Sequence, residues 1–563
     1  MTATSISAGA GGIDLSISDR NAGSIGGSAT VNLNVNGSVT SGVGGFFVGD
    51  TFGNDGGGGG TTGLDAVVSM NAGSAATSGF FEAYNNINGG AHIHGDAINT
   101  VIVTGDLTAQ QGILATIEDT GFTSSGTFGG SSHIDGNALL TLRAQSIITA
   151  STATGTPGID TMALEASIYP NVAGVVGGDA IINVFATQNI SAPGETVFWV
   201  ANGNYQNLGP GNIGGNTEVN VGAANISTGN LLLQILNYGG SSIGGHAEVN
   251  VTATNLRVNG SLDSRIDNSN GGTIGGDATI NMNVSGNASV TNDATIAIYG
   301  SGGAASAAIN FNGGSYDAGG TFSAFTDGSG TITFNNATVH ADVLKIGALG
   351  TNGVLNIGGG TLSADTTLKL YANSSNGTVN FIANVTLTGA SSKFIAGDTV
   401  KVFDSVVVTI GMSPADIYTN HAHYSSSNGG DGTTTGIFIP SGFIGPAVTT
   451  HPGATPPPFD DLPPPGTLTT NGTSSTNVKT QTVSSTNVIS GKKTGSVINV
   501  SDSGQLLSLL DGATLGPNGK VHVSPVTLGR NAPVQGSTRT MVAELHRSAD
   551  ARARSSVPAS RLQ

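Results

Sequence analysis

The sequence predicts an all-β fold, a parallel β-helix solenoid, from three observations: internal repeats, strand-type alternation and an unusual composition. One pattern occurs three times within residues 330–402, and a weaker copy precedes it. When Phe311, Phe334, Ile357 and Phe381 are taken as equivalent positions, the period is 23, 23 and 24 residues. Repeats of this length are typical of solenoids built from one small unit per repeat.

Each copy contains three short strands separated by bends. Apolar residues alternate with polar ones; for example, Leu355 and Ile357 flank Asn356. Such alternation indicates a strand with one buried face. A single coil cannot bury its apolar face alone, so coils stack around a continuous core. The lysines Lys345, Lys369 and Lys393 recur in step, and their mutual repulsion predicts an exposed ladder.

A looser repeat occupies residues 1–302. Its anchor is an Ile-Gly-Gly-x-Ala turn that leads into a strand, as in IGGHAEVNV from Ile243. Successive copies start 37, 31, 41, 42, 37, 30 and 31 residues apart, which fits coils with loops inserted on one side. The paired glycines allow positive φ at a sharp corner. Outward asparagines such as Asn220, Asn250 and Asn281 are expected to form hydrogen-bonded ladders along the stack.

The composition favours a solenoid over a set of globular domains. Only 9% of the 563 residues are charged and 89 are glycine, while the apolar residues alternate as strands require. The net charge of −17 argues against nucleic acid as a partner. Cysteine is absent, which excludes a disulfide or thiolate-metal framework. No apolar run approaches the ~20 residues of a membrane helix, and no secretory signal is recognisable at the start.

Four regions follow from these patterns. Residues 1–302 form an irregular β-helix with IGGDA-type repeats, and residues 303–412 form regular coils of about 23 residues. Residues 413–466 end the solenoid and include a Pro-rich linker. Residues 467–563 form a low-complexity Ser/Thr-rich tail, predicted to be disordered, with a short C-terminal helix.

The IGGDAxIN-type turns and coils such as GVLNIGGGTLSADTTLKLYA resemble the secreted filamentous haemagglutinin-like exoproteins of bacteria. The resemblance covers about residues 1–412. It lies in the general character of the sequence, a Gly/Asn/Ser/Thr-rich solenoid without cysteine. It implies a right-handed β-helical shaft and an extracellular or outer-surface location. The N-terminal secretion domain expected in that family is not recognisable, so we expect the sequence to be part of a longer exported chain.

Aspartates such as Asp96, Asp179 and Asp277 occupy the same turn position of their repeats. Carboxylates along one edge could bind calcium or perform acid and base catalysis in a polysaccharide lyase or hydrolase. Ser, Asn and His replace them in other copies, which favours a role in closing the turn. The paired Asp460 and Asp461 lie in the Pro-rich linker and are interpreted as solvated.

Two His-x-His pairs occur, His92 with His94 and His421 with His423. Residues two apart on a strand share a face, which is a workable metal geometry, but the sequence names no third ligand. No catalytic, cofactor-binding or metal-binding residue is therefore assigned, and no cofactor is expected.

The function predicted from these features is that of a non-catalytic, cell-surface or secreted β-helical adhesin or structural shaft. Its partners would be surface glycans or matrix, bound through many weak contacts whose effective concentration is raised by repetition. The alternative is a carbohydrate-active β-helix enzyme, which a trio of carboxylates with a nearby Lys or Arg on one face would favour. A purely structural role without a specific ligand is the third possibility.

Overall fold

The computed structural model describes residues 2–20, 23–53, 60–120, 130–154, 162–171, 173–203, 210–269, 271–300, 303–373, 375–403, 405–424, 443–444, 448–459, 514–515 and 521–522. These residues form strands and turns, with no α-helix among them, so the prediction of an all-β fold is confirmed. The predicted C-terminal helix and the paired Asp460 and Asp461 lie outside the described residues. The chain divides into a unit of residues 1–157 and 161–473 and a second unit of residues 158–160 and 474–563.

The strands of the first half are β1 (Thr2–Ala3), β2 (Ile6–Ser7), β3 (Ile13–Arg20), β4 (Ser24–Ile25), β5 (Ala29–Ser41), β6 (Phe46–Gly53), β7 (Thr61–Thr62), β8 (Ala66–Thr77), β9 (Phe80–Asn88), β10 (His92–Ile93), β11 (Ala97–Val103), β12 (Asp106–Ala109), β13 (Gly112–Thr120), β14 (His133–Ile134), β15 (Ala138–Thr149), β16 (Leu164–Asn171), β17 (Val175–Val176), β18 (Ala180–Ala192), β19 (Thr196–Asn202), β20 (Asn212–Ile213), β21 (Thr217–Thr228) and β22 (Leu231–Asn237). Those of the second half are β23 (Ser242–Ile243), β24 (Ala247–Val258), β25 (Leu262–Asp267), β26 (Thr273–Ile274), β27 (Ala278–Val284), β28 (Asn287–Val290), β29 (Ala294–Tyr299), β30 (Ala307–Asn312), β31 (Ser315–Thr326), β32 (Gly330–Asn335), β33 (Thr338–Ala348), β34 (Val354–Ala372), β35 (Thr378–Gly389), β36 (Ser392–Ala396), β37 (Thr399–Val402), β38 (Val408–Ile410), β39 (Ala415–Thr419), β40 (His421–Tyr424), β41 (Phe443–Ile444), β42 (Val448–Pro452), β43 (Thr514–Leu515) and β44 (Val521–His522).

The strands of the first unit pair in parallel in four ladders, each joining equivalent positions of successive repeats. Ladder 1 joins β1, β5, β8, β11, β15, β18, β21, β24, β27, β30, β32, β34, β35, β37 and β40. Ladder 2 joins β2, β5, β8, β12, β15, β18, β21, β24, β28, β31, β33, β34, β35, β38 and β41. Ladder 3 joins β3, β6, β9, β13, β16, β19, β22, β25, β29, β31, β33, β34, β36, β39 and β42. Ladder 4 joins β4, β7, β10, β14, β17, β20, β23 and β26.

The two repeat types differ in ladder 4, which contains only strands from residues 24–274. Its strands end at the Ile of the Ile-Gly-Gly anchors or at the equivalent residue of the degenerate copies, so this ladder ends where the looser repeat ends. Beyond residue 412, ladder 1 continues through β40, ladder 2 through β41, and ladder 3 through β39 and β42. In the second unit, β43 and β44 pair antiparallel, on either side of the Asn-Gly dipeptide at which the sequence predicts a hairpin.

Alternation along the strands sets the core and the surface. Val219, Val249 and Ile280 are paired in register and fully buried, while their neighbours Asn220 and Asn250 point outward. One continuous apolar cluster runs from Ala29 to Ile417 across the repeats. Each fully buried Val, Leu or Ile stabilises the fold by about 1.5–3 kcal/mol, which makes this shared core the main source of stability.

The outward asparagines form the predicted amide ladders. In ladder 1 each side-chain amide donates to the carbonyl oxygen of the asparagine before it, at 2.8 Å for Asn250 to Asn220 and 2.9 Å for Asn281 to Asn250. A second row in ladder 2 includes Asn255, which donates to Asn225 at 2.9 Å. Every such bond joins two repeats, so the polar surface also contributes to their registration.

The glycines of the Ile-Gly-Gly turns have a different role from the predicted one. Gly244 and Gly275 do not adopt positive φ. A Cβ on Gly275 would lie 2.2 Å from the carbonyl oxygen of Gly244 in the preceding repeat. Glycine is therefore required because stacked turns approach each other closely.

The predicted exposed lysine ladder is wrong. Lys345 pairs with Lys369, but Lys393 pairs with Leu368 and points inward, where it is fully buried. Its ammonium donates to the carbonyl oxygen of Ala390 at 3.0 Å and to the Ser413 hydroxyl at 2.6 Å. Burial lowers the pKa of Lys393 below its usual value.

The start of the Pro-rich segment packs against ladder 3. The Tyr371 hydroxyl donates to the carbonyl oxygen of Pro457, and the Lys369 ammonium donates to that of Pro458, both at 2.6 Å. The ring of Phe459 lies 5.3 Å from that of Tyr371. Residues 457–459 therefore lie against the repeats, although the sequence predicts a linker here.

Candidate functional site

The aspartates at the shared turn position form hydrogen bonds between repeats. Asp96 accepts from the backbone N–H of Asn137 at 2.7 Å, and Asp179 accepts from that of Asn216 at 2.7 Å. Asp277 accepts from the hydroxyl of Ser306 at 2.7 Å. These bonds run to the next repeat, whereas the sequence analysis expects the aspartates to close their own turns.

A second group of carboxylates lies on the outer side of ladder 3. The Arg265 guanidinium forms an ion pair with Asp263, which also accepts from the Gln234 amide at 2.8 Å. Asp267 accepts from the Tyr238 hydroxyl at 3.1 Å. Carboxylates beside a guanidinium are the residue types expected in a carbohydrate-active enzyme. The side chains of Arg265 and Asp263 are only 1% and 2% exposed, however, so this cluster has no access to solvent.

A shallow groove of about 440 Å³ lies where the outer faces of ladders 1 and 2 meet. It is lined by small apolar, hydroxyl and amide side chains: Ala223, Ala224, Thr252, Ala253, Thr254, Asn283, Ser285 and Asn312. We call it the outer groove.

An exposed aromatic ring belongs to the same outward column as one residue of the groove. Thr252, which lines the groove, pairs with Gly222, and Gly222 in turn pairs with Phe185. Phe185 is 41% exposed, and its ring lies over Gly222. An exposed aromatic ring beside hydroxyls and amides can contact a sugar ring.

The His92 and His94 pair lies in and beside β10, on the outside of ladder 4. His92 pairs in register with His133, and the inward Ile93 pairs with Ile134. His92 Nε2 lies 2.7 Å from Asp135 Oδ1, and His94 Nδ1 lies 3.0 Å from Asp135 Oδ2. The next repeat thus supplies a third donor that the sequence analysis did not identify. The other pair, His421 and His423, is in β40, whose side chains are outside the described part of the chain.

The electrostatics of this group follow from its contacts. Burial opposes ionisation of Asp135, but hydrogen bonds and charges from His92 and His94 outweigh it and lower the pKa of the carboxyl. For His133, burial and the neighbouring His92 lower the pKa of the imidazole. A carboxylate and neutral imidazoles are the forms that bind metals.

The sequence itself contains a signal for these donors. The degenerate anchors are HIHGDA from His92 and HIDGNA from His133, and aligning them places Asp135 at the position of His94. Stacking then brings side chains 41 residues apart into contact.

No family model, curated protein or solved structure matches this chain. Among the described residues, no helix has the length and hydropathy needed to cross a membrane.

Proposed function

We propose that the protein is a non-catalytic shaft of a secreted or cell-surface adhesin, folded as a right-handed parallel β-helix and similar in style to the filamentous haemagglutinin-like exoproteins. The observation that carries the proposal is the outer surface of ladders 1 and 2. It combines asparagine rows with the outer groove and the exposed ring of Phe185. Amides, hydroxyls and an aromatic ring are the groups that recognise sugars, and repetition strengthens weak binding.

The four ladders support the β-helix. Within one repeat the chain passes through ladders 1, 2, 3 and 4 in order, as β21, β22 and β23 do, and the next repeat follows the same order. If each repeat is one coil, equivalent residues of adjacent coils lie about 4.8 Å apart, within the Cα separation that a disulfide allows.

The natural absence of cysteine permits a direct test. We expect Asn220→Cys with Asn250→Cys to form a disulfide readily, because the two residues are paired in adjacent repeats. Asn220→Cys with Asn281→Cys should not, since two spacings separate them by about 10 Å. Corresponding pairs in ladders 2 and 4 are Asn225 with Asn255 and Ser242 with Thr273. Thiol titration and peptide mapping of the oxidised protein provide the measurement, and preferential linkage of the distant pair contradicts the stacked coils.

For ligand binding, the full chain is passed over immobilised polysaccharides with and without calcium, and retained protein and released sugar ends are recorded together. We expect retention without release. Phe185→Ala should weaken retention by about tenfold, equivalent to ~1.4 kcal/mol. Phe403→Ala is the matched control, because Phe403 is similarly exposed at 38% but lies outside the column of Phe185, Gly222 and Thr252 that leads to the groove. Equal effects of the two variants would count against recognition at the groove.

A carbohydrate-active enzyme is the second candidate, favoured by the ion pair of Asp263 with Arg265 and by Asp267 two residues further along β25. Because the Asp263–Arg265–Asp267 cluster is buried, this outer face of ladder 3 must become accessible before a substrate can reach it. Release of sugar ends by the wild-type chain, abolished in Asp263→Asn, would replace the adhesin proposal by this one.

A further inference from the structure

The repeats bring His92, His94 and Asp135 together through ordinary strand pairing. The register of β10 with β14 is fixed by Ile93 and Ile134, which are both fully buried. Side chains on either side of these isoleucines must therefore point outward and stack in pairs. The backbone thus holds His92, His94 and Asp135 on one outer face. His94 and Asp135 directly follow the paired residues Ile93 and Ile134, so no flexible loop separates them from the strands.

The distances fit a small divalent cation. One donor atom from each of the three residues lies within 4.8 Å of the other two. Zinc bonds of about 2.0–2.1 Å in tetrahedral geometry separate ligand atoms by about 3.3 Å. The His92 distance to Asp135 Oδ1, 2.7 Å, and the His94 distance to Asp135 Oδ2, 3.0 Å, are shorter than that value by about 0.6 and 0.3 Å. Small side-chain rotations are enough to admit the ion in place of the direct hydrogen bonds.

The donor set selects the metal class. Two imidazoles and one carboxylate suit zinc and its neighbours, whereas calcium and magnesium prefer oxygen ligands alone. A third imidazole, that of His133, lies nearby, with its ring centroid 5.5 Å from that of His92. The only comparable group of three donors among the described residues, Glu218, His246 and Glu248, has a single imidazole.

We propose that His92, His94 and Asp135 form a binding site for a zinc-class divalent cation, which links two adjacent repeats from the outside. The linked residues are separated by 41 positions between His94 and Asp135, so the ion closes a long loop of the unfolded chain. The site stabilises the fold by mass action because the unfolded chain does not present the three donors together. This inference rests on the pairing of β10 with β14 and is independent of glycan binding.

The test uses the full chain without a polyhistidine tag, titrated with zinc chloride in a calorimeter after chelator treatment. Wild type is compared with His94→Ala and Asp135→Ala. Both residues are about half exposed, at 48% and 47%, so neither truncation alters the core. The matched control is His246→Ala, which removes an imidazole from the Glu218 group and leaves the proposed site intact.

We expect His94→Ala and Asp135→Ala each to weaken zinc binding by at least about tenfold, while His246→Ala binds as wild type. Zinc should raise the thermal unfolding midpoint of wild type and His246→Ala but not of the other two variants, and calcium in excess should not displace it. With chelator present, the four unfolding midpoints should differ only by the small effect of losing exposed His–carboxylate contacts. Unchanged zinc affinity in His94→Ala and Asp135→Ala, or loss only in His246→Ala, would overturn the assignment.

Discussion

Replacing Ile357 with Asp should destabilise the regular repeats by more than about 4 kcal/mol. Ile357 is fully buried and is paired with Phe334 on one side and Phe381 on the other. Truncating a buried isoleucine alone costs about 2–5 kcal/mol, and a carboxyl without a partner in an apolar stack adds a further desolvation cost. Because each repeat is stabilised by its neighbours, the damage should extend beyond the substituted strand.

The matched control is one residue away. Asn356→Asp adds the same carboxyl on the outward side, where it can still accept the 2.9 Å hydrogen bond that Asn380 donates. We expect a change below about 1 kcal/mol for this variant. Urea unfolding followed by circular dichroism distinguishes the two. If Ile357→Asp keeps the wild-type transition, the inward orientation of residue 357 is wrong.

Much of the fold could be predicted from local alternation. The inward Val249 and the outward Asn250 follow from a period of two, and the amide ladders follow from stacking equal residues. The glycine turns were located correctly, but the close approach of Gly275 to Gly244 depends on the neighbouring repeat. Such a contact is invisible in a single copy of the repeat.

The error at Lys393 has a local cause. Ile357 pairs with Phe381, but the next residue, Gly358, pairs with Ala383, so Ile382 is an extra residue in β35. Each later position of the copy is shifted by one relative to the preceding repeat. A shift of one residue moves a side chain to the opposite face of a strand, which turns Lys393 inward although its spacing from Lys369 is unchanged.

The interior of the early repeats also carries polar groups that alternation does not predict. Asp50 and Asn85 are paired in ladder 3 between Ile17 and Ile117, and all four positions face the core. Both polar side chains are fully buried. Sequence patterns place aspartate in turns or on surfaces. The inward position of Asp50 therefore becomes visible only once its pairing with Ile17 and Asn85 is known.

Asp50 should make the stability of the protein depend on pH. Burial raises the pKa of Asp50 to about 7, with the backbone N–H of Ile17 acting in the opposite direction, from an ordinary value of 3.8. Between these two values the folded protein retains the proton that the unfolded chain releases. The contribution of Asp50 to stability is therefore fully present below pH 3.8, falls as the pH rises, and is lost above about pH 7.

The variant Asp50→Asn removes this dependence while preserving shape. We expect little change in the free energy of unfolding near pH 4 and a gain approaching about 4 kcal/mol at pH 8, from ~1.4 kcal/mol per pKa unit. Asp119 and Asp19 have pKa values raised in the same direction by burial, so each variant must be compared with wild type at the same pH. The exposed Asp106→Asn, on β12, is the control. Because only a buried, ionising carboxyl produces a gain that grows with pH, an equal effect of Asp50→Asn at pH 4 and pH 8 would contradict the inward position of Asp50.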